Sequence, residues 1–598
     1  MVLRWLLAIA MASHGMALAV SFRSARTLPR RDRTMQAVLA SENEALAEGT
    51  SLLGKVVSVG SLEGLVVVRP EARELIRIGA LLSFGRGGTG VVLAERCGLY
   101  FAKAMGGTVP TVAESVSMIN MNMTVHAWEP IDGNEWGGVV DYLGGGDTQV
   151  AQGATPTTAV NVFGEPVPAA RRRPIGSSLH TGVVAIESLA PIGRGQSMML
   201  FGPDGLPSGC GRTDLALRVI GAQHQLGSDV KCMLVLSGPE HEREQTLAAM
   251  RESGVLDHTR VLVANTPLEA IVAASAACSI AESCQEDDVL VVVDSLRPHL
   301  ELWKAICAEL EDLDVAVSPE EEGSQQRAFY ARLVERAARR KEGGSVTLLL
   351  LQPSVSVLPS ESTAKESYSL ADFESAGFTN TVCSRVKLLE EKGIRLTQEV
   401  LVKVGIPLPG SDHPAAGRGQ QSAQHLEELT SLVDGHIDLR ESLAASGRNP
   451  PIDPSNSLTR IGVGSSKLRP LSQAPAMAKV CGPLRLELAS AADYVHCEAD
   501  QARRAAAYMA VLQQPEPSPL TLGEEVALVR AAASGALDTI VATKGNAEVS
   551  DLLRNLLDHV SSAAPELMPR ISETLLLGDN VQQQLDELTI QFLRVQTE

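Results

Sequence analysis

The sequence has no surplus of basic residues: 52 Lys and Arg stand against 71 Asp and Glu, a formal net charge of −19. Phosphate backbones are neutralised by clustered cations, so this balance excludes nonspecific nucleic-acid binding. Small anionic ligands stay open, because one loop can hold them against the global charge. Paired cysteines are also missing. The 9 cysteines lie singly between Cys97 and Cys497 with no C-x-x-C, and their number is odd. Neither a disulfide framework nor a zinc site is indicated, and a reduced compartment fits. The apolar run that opens the chain contains His14 and is short for a membrane span.

That opening, MVLRWLLAIAMASHGMALAVSF, has an early Arg, an apolar run and then the small residues Ala19, Val20 and Ser21. This is the grammar of a signal peptide. The following SFRSARTLPRRDRTMQ, rich in Arg and Ser with Asp32 as its acid, has the composition of a transit peptide. A signal joined to a transit-like segment, with Phe22 at the junction, resembles the two-part leader of proteins sent to plastids of secondary origin. A mitochondrial presequence with an unusually apolar start is the alternative. Residues 1–40 are therefore read as a targeting leader and kept out of the fold.

A chain of 598 residues with 44% hydrophobic content can bury several cores, and its length suits about three or four domains. Over residues 50–145, runs such as GKVVSVGSLEGLVVV and GALLSFGRGGTGVVLAE are β-branched and broken by Gly at close intervals. They predict a small antiparallel β-barrel. Over residues 150–470, the apolar runs KCMLVLSG, TRVLVANT, DDVLVVVD and SVTLLLLQ alternate with helix-like stretches such as SQQRAFYARLVERAARRK. Buried parallel strands between helices make an α/β domain. Within it, residues 353–428 are rich in Ser, Pro, Gly and Gln and read as an insertion. From 475 to 598, spacings of three and four in AEVSDLLRNLLDHV and NVQQQLDELTIQFLRV predict a helical bundle.

The stretch LFGPDGLPSGCGRTDL, residues 200–215, lies where an apolar run gives way to a helix pattern. A phosphate loop follows G-x-x-x-x-G-K-[ST]: backbone N–H groups surround the phosphates, Lys reaches the terminal one and the hydroxyl ligates Mg²⁺. Gly211, Arg212 and Thr213 supply the end of this pattern with Arg in place of Lys, while its opening position is Leu206. Read alone, the stretch does not separate a phosphate loop from a Gly-rich turn.

Its neighbours do. LHTGVVAIESLAPIGRGQ, residues 179–196, closely resembles the signature that precedes the phosphate loop in rotary ATPase subunits. VNVFGEPV, AFYARLVERAARRKEGGSVT, SLVDGHIDL, SLTRIGVGSS and AMAKVCGPLRLELA follow the order of the alpha subunit of F-type ATP synthase. The resemblance runs from Gly54 to the C-terminus except for the insertion. It implies a multidomain fold: an N-terminal β-barrel, a central α/β RecA-like P-loop domain and a C-terminal α-helical bundle. It further implies ATP or ADP with Mg as cofactor, beta subunits and a central stalk as partners in a hetero-hexameric ring, and a place peripheral to an energy-transducing organellar membrane.

The family's functional residues carry over one by one. Gly209 and Gly211 match loop glycines, Thr213 the Mg²⁺ hydroxyl, and Asp294 the strand-end acid that holds Mg²⁺ through water. Arg212 replaces the phosphate-binding Lys with a larger, planar group. The loop is also longer than the pattern, carries Asp204 where phosphates would lie, and loses an N–H donor at Pro207. Pro239 stands where the family has the Glu or Gln that faces the attacking water, with Glu240 one residue on. Hydrolysis by this chain is therefore not expected. Arg460 in SLTRIG matches the finger that reaches a neighbouring beta subunit's nucleotide. The stalk-contact loop before AFYARL is replaced by VAVSPEEEGSQQ, which opens an alternative: an alpha-like pseudo-enzyme acting as an assembly or interaction factor. KGIRLTQEVLVKVGIPLPG, residues 392–410, mimics the finger strand and is assigned to the insertion.

A fluorescent reporter fused behind residues 1–40 is expected to enter the plastid of an alga with a secondary plastid. Mitochondrial import would establish the alternative, and a cytosolic reporter would refute the leader.

Overall fold

The computed structural model describes residues 52–71, 76–106, 109–128, 136–143, 156–203, 206–315, 317, 319–353, 386–387, 426–461, 473–492 and 499–597. The leader, nearly all of the insertion, Asp204 and the residues following Ile461 as far as 472 lie outside them.

The first strands are β1 (Leu52–Val59), β2 (Leu65–Pro70), β3 (Leu81–Phe84), β4 (Thr89–Arg96), β5 (Leu99–Met105) and β6 (Ser115–Asn120). They close into an antiparallel barrel in the order β1-β2-β5-β4-β3-β6. Alternation along β2 explains its unbroken apolar run LVVV. Val66 and Val68 join Leu82, Phe84 and Val116 inside the barrel, whereas Leu65 and Val67 face outward into the core of the next domain. Successive side chains of a strand point to opposite faces, so a strand covered on both sides reads as continuously apolar.

β7 (Thr124–Trp128) pairs with β9 (Pro156–Asn161), and between them β8 (Gly138–Asp141) leaves the barrel region altogether. It lies parallel to β13 (Thr259–Val263), with Gly138 opposite Arg260. Residues 138–141, read as barrel from their Gly and β-branched content, thus form the edge of the α/β sheet. Composition alone does not distinguish an edge strand of one sheet from that of another.

The remaining strands are β10 (Arg172–Arg173), β11 (Ser197–Gly202), β12 (Lys231–Leu236), β14 (Asp288–Val293), β15 (Ala338–Arg340), β16 (Ser345–Pro353), β17 (Gly435–Asp438) and β18 (Leu458–Thr459). Among the described residues they build, with β8 and β13, a sheet whose main path is β18-β17-β11-β16-β14-β12-β13-β8. From β17 to β8 every neighbouring pair is parallel. The apolar runs of β14 and β16 serve both faces. Leu290, Val292, Leu349 and Leu351 enter one core, and Val291, Val293, Leu348 and Leu350 the other.

Helices cover those faces: α1 (Val184–Leu189), α2 (Arg212–Gln225), α3 (Glu240–Glu252), α4 (Pro267–Ser283), α5 (Arg297–Asp312) and α6 (Pro319–Val334). α4 starts cleanly because Thr266 accepts the Glu269 N–H and Pro267 occupies the first turn. From β11 the chain passes through α2 to β12, leaving β16 and β14 between the two strands, while β17 returns on the far side of β11. Such a reversal of direction opens a crevice at the carboxyl ends of the strands. No helix among the described residues is long and apolar enough to cross a membrane.

After the short α7 (Glu441–Ala445), the chain ends in α8 (Pro475–Ala492), α9 (Ala499–Val511), α10 (Leu522–Ala533), α11 (Asp538–Val541), α12 (Asn546–Ala563), α13 (Leu567–Thr574) and α14 (Asp579–Thr597). Leu484, Tyr508, Val526, Leu556 and Ile571 form their core, which is continuous with the α/β domain. The seam is built by the HTG of LHTGVV. Gly182 has φ +64, and a Cβ there would lie 2.4 Å from Pro519 Cβ. Its carbonyl accepts the Leu520 N–H at 3.0 Å and Gln514 Nε2 at 2.9 Å.

Beside it, His180 Nε2 meets Glu525 Oε2 at 2.9 Å. Burial lowers the imidazole pKa, but attraction and hydrogen bonding to Glu525 outweigh it and raise the value from 6.5 to about 9. For Glu525 burial dominates and raises the carboxyl from 4.5 to about 7, against the pull of His180. Glu187, fully buried and accepting the Thr181 N–H and hydroxyl at 2.8 Å each, adds a third titratable group to the cluster.

The folded state holds the imidazolium proton more tightly than the unfolded chain does. Its stabilisation is therefore complete below pH 6.5 and is lost as the pH rises through about 9. The raised Glu525 acts in the same direction. Thermal denaturation of the full chain should show a melting temperature that falls across this range, and His180→Gln with Glu525→Gln should flatten the fall.

Candidate functional site

β11, β16, β14 and β12 end side by side, and the segments at their carboxyl ends enclose a cavity of about 660 Å³. Arg212, Thr213 and Asp294 line it, joined by Ser237, Pro239 and Arg297. Three of the residues singled out from sequence thus share one cavity, although Asp294 lies 81 positions beyond Thr213 (294 − 213). Gly209 and Gly211 belong to the loop that leads into it.

α2 begins directly after that loop, with Gly211 as its N-cap. The first N–H groups of a helix have no partner inside it, and in a phosphate loop they meet the ligand. Here Asp214 takes two N–H groups of the loop leading into the helix. Its Oδ2 accepts the Gly209 N–H and the Gly211 N–H, each at 3.0 Å. Gly209 presents its N–H this way from φ +81, a conformation natural to glycine. A carboxylate in the first turn also suits the positive end of the helix dipole. Asp214 therefore stands where an anion would stand. The acid flagged by sequence, Asp204, lies outside the described residues. Asp214 went unremarked because it follows the G-R-T pattern; its spacing of three from Gly211, that of a capping box, was the available signal.

Arg212 is also turned inward: Nη1 donates to the Gly202 carbonyl at 2.5 Å, at the end of β11. An ammonium at this position is a point charge that a phosphate can draw outward. The forked guanidinium instead bridges the two ends of its own loop.

Asp294 is held as firmly. Ser237 Oγ donates to Oδ1 at 2.6 Å, and the N–H groups of Ser237 and Gly238 donate to Oδ2 at 2.6 and 3.2 Å. Burial raises its pKa from 3.8 to about 6, although these donors pull the other way. The acid clamps the turn between β12 and α3. Sequence missed Ser237, whose only mark was its place after an apolar run. Pro239 caps α3 and lines the cavity, whereas Glu240 does not. The carboxylate that a one-residue slip would bring into play therefore stays outside.

Arg460 is elsewhere. It follows β18 at the opposite end of β11, where Asp434 bonds Ser197, and faces a separate pocket of about 420 Å³. Its Nη1 donates to the carbonyls of Ser431 at 3.0 Å and Val433 at 3.2 Å. Ser431 lies in the last turn of the helical stretch over 426–432 and Val433 directly follows it, so the side chain caps a helix C-terminus.

Comparison with known proteins fits this architecture. Residues 182–358 match the model for the ATP synthase alpha/beta family, nucleotide-binding domain, and residues 473–592 match that for the ATP synthase alpha/beta chain, C terminal domain. The ATP synthase subunit alpha, sodium ion specific, of Acetobacterium woodii is 26% identical over 430 residues, covering 69% of each chain. The chain is a divergent alpha-type member of the ATP synthase alpha/beta family. Nucleotide-binding folds of this family imply a Mg-nucleotide at the loop. In this chain several of the groups that would meet one are engaged within the protein. Asp214 occupies the Gly209 and Gly211 N–H groups, Arg212 is bound to Gly202, and Asp294 is engaged by Ser237.

Isothermal titration of the full chain with Mg·ATP should accordingly show no saturable binding at millimolar nucleotide. Asp214→Ala combined with Arg212→Lys should gain at least about tenfold in affinity, since a hydrogen bond to a charged group contributes about 1.5–3 kcal/mol. Asp214→Ala alone should cost about 1 kcal/mol of stability through the lost helix cap.

Proposed function

We propose that this chain is a non-catalytic, regulatory and structural alpha-type subunit of an F-type proton-transporting ATP synthase. It assembles alternately with beta subunits in a hetero-hexameric ring around a central stalk and contributes to ATP synthesis through them. Its own nucleotide site is degenerate. The observation that carries this reading is the inward closure of the loop, with Asp214 on the Gly209 and Gly211 N–H groups and Arg212 on the Gly202 carbonyl. A loop closed on itself retains the turn that starts α2 and gives up ligand binding. Pro239 supports the same conclusion, since it offers no side-chain hydrogen bond to an attacking water.

In this reading Arg460 serves a neighbouring site. It would leave the carbonyls of Ser431 and Val433 for the phosphates held by the adjacent beta subunit, where a guanidinium stabilises developing charge. The complex would be peripheral to an organellar membrane, with the plastid as its compartment.

The test is purification through a tag on this chain, expressed in its own organelle. Beta subunits and central stalk are expected to co-purify. Arg460→Ala should leave that composition intact and lower the ATP turnover of the complex by about 10³-fold or more. Recovery without beta subunits would replace this reading with that of an assembly or interaction factor.

A further inference from the structure

The densest local charge in this acidic chain lies on the two-stranded ribbon of β10 and β15. Residues 171–173 read Arg-Arg-Arg and residues 339–341 read Arg-Arg-Lys, in a protein of net charge −19. Antiparallel pairing sets Arg173 opposite Arg339 and Arg172 opposite Arg340. Like charges in directly opposed positions repel. Two of the four arginines are satisfied by the fold. Arg340 donates to the carbonyls of Glu282, Cys284 and Gly343 at 2.6, 2.7 and 3.3 Å, and Arg172 to those of Val167 and Glu335 at 2.7 and 2.8 Å.

Arg173 and Arg339 have no ion-pair or hydrogen-bond partner for their guanidinium groups among the described residues. Both line the pocket of about 420 Å³ that also holds Arg460. The acid in that lining, Asp434, is engaged: its Oδ2 accepts the Ser197 N–H at 3.0 Å and the Ser197 hydroxyl at 2.9 Å. The pocket wall is tightly built. Gly195, at φ +95, approaches so closely that a Cβ would lie 2.5 Å from the Arg339 nitrogen. An exposed arginine by itself is ordinary. Here two cations face each other across a ribbon, over a concavity in which a third is fixed by main-chain carbonyls. Fold stability does not account for that arrangement.

We propose that Arg173, Arg339 and Arg460 form an anion site, separate from the cavity at Arg212, that takes a chain of two or three phosphates. Planar guanidinium groups match phosphate oxygens two at a time. A diphosphate carries enough charge to neutralise all three, which a single carboxylate does not. The phosphate chain has two possible sources: free pyrophosphate, or the tail of a nucleotide on a neighbouring subunit. Only the second source rests on the assembly proposed above.

The first arm is calorimetric titration of the full-length chain with pyrophosphate. Saturable binding is expected, weakened about tenfold by each of Arg173→Gln and Arg339→Gln and unchanged by Arg212→Gln. Equal melting temperatures would show that the variants fold. Absence of saturable binding by the parent chain, or binding that responds to Arg212→Gln and not to the ribbon variants, would overturn the proposal. The second arm uses the complex purified through this chain. A raised Michaelis constant for ATP in the ribbon double variant, at unchanged subunit composition, identifies the neighbour's nucleotide as the source. An unchanged constant, with pyrophosphate binding still lost, identifies free phosphate. A chain that fails to assemble but binds pyrophosphate through Arg173 and Arg339 refutes the assembly and upholds the site. Loss of beta-subunit capture in ribbon variants, in a chain that never bound pyrophosphate, assigns the patch to an acidic protein surface and overturns the site.

Discussion

The loop that turns a buried strand into a helix has to find partners for its own N–H groups, and two of them find one in the first turn of α2. The Asp214 carboxylate accepts from Gly209 and Gly211, the helix dipole favours the negative charge there, and the Arg212 guanidinium closes the remaining gap to Gly202. This arrangement stabilises the strand-to-helix turn on which the sheet's crossover depends. It also occupies the Gly209 and Gly211 N–H groups, two of the donors that a phosphate at this loop would meet. One solution to a folding problem thereby sets the chemical character of the site.

The same economy of contacts appears at the seam between the α/β and helical regions. The segment around Gly182 lies in the stretch whose likeness pointed to rotary ATPase subunits. In the folded chain its work is packing: Gly182 admits Pro519, Gln514 bonds its carbonyl, and His180 pairs with Glu525. A sequence signature next to a phosphate loop is thus retained for reasons that do not require the loop to bind anything. The far end of α2 is tied to this seam, since Gln223 Nε2 donates to the His180 carbonyl at 2.8 Å.

Architecture was largely legible beforehand. Gly-broken β-branched runs marked the barrel, unbroken runs such as VLVVV and VTLLLL marked strands covered on both faces, and spacings of three and four marked the terminal helices. These signals are strong because burial imposes them on every turn of the element. Residues 138–141 escaped because an edge strand of four residues carries too little pattern to say which sheet it joins. The candidate site was legible only in part. Motif matching selected Arg212, Thr213 and Asp294, which line one cavity. It overlooked Asp214 and Ser237, whose importance lies in which hydrogen bonds they accept or donate.

By itself, then, the sequence determined the class and order of the domains, the ancestry of the loop and the identity of its altered residues, since periodicity and motif are properties of neighbouring positions. Tertiary structure decided which donors Asp214 takes, that Ser237 holds Asp294, and that Arg460 caps a helix in a pocket apart from the loop. It alone placed Arg173 opposite Arg339, 166 positions away (339 − 173). The physical reason is that charge and hydrogen bonding act over a few ångströms of space. Partners distant in sequence are found only when the fold has brought them together.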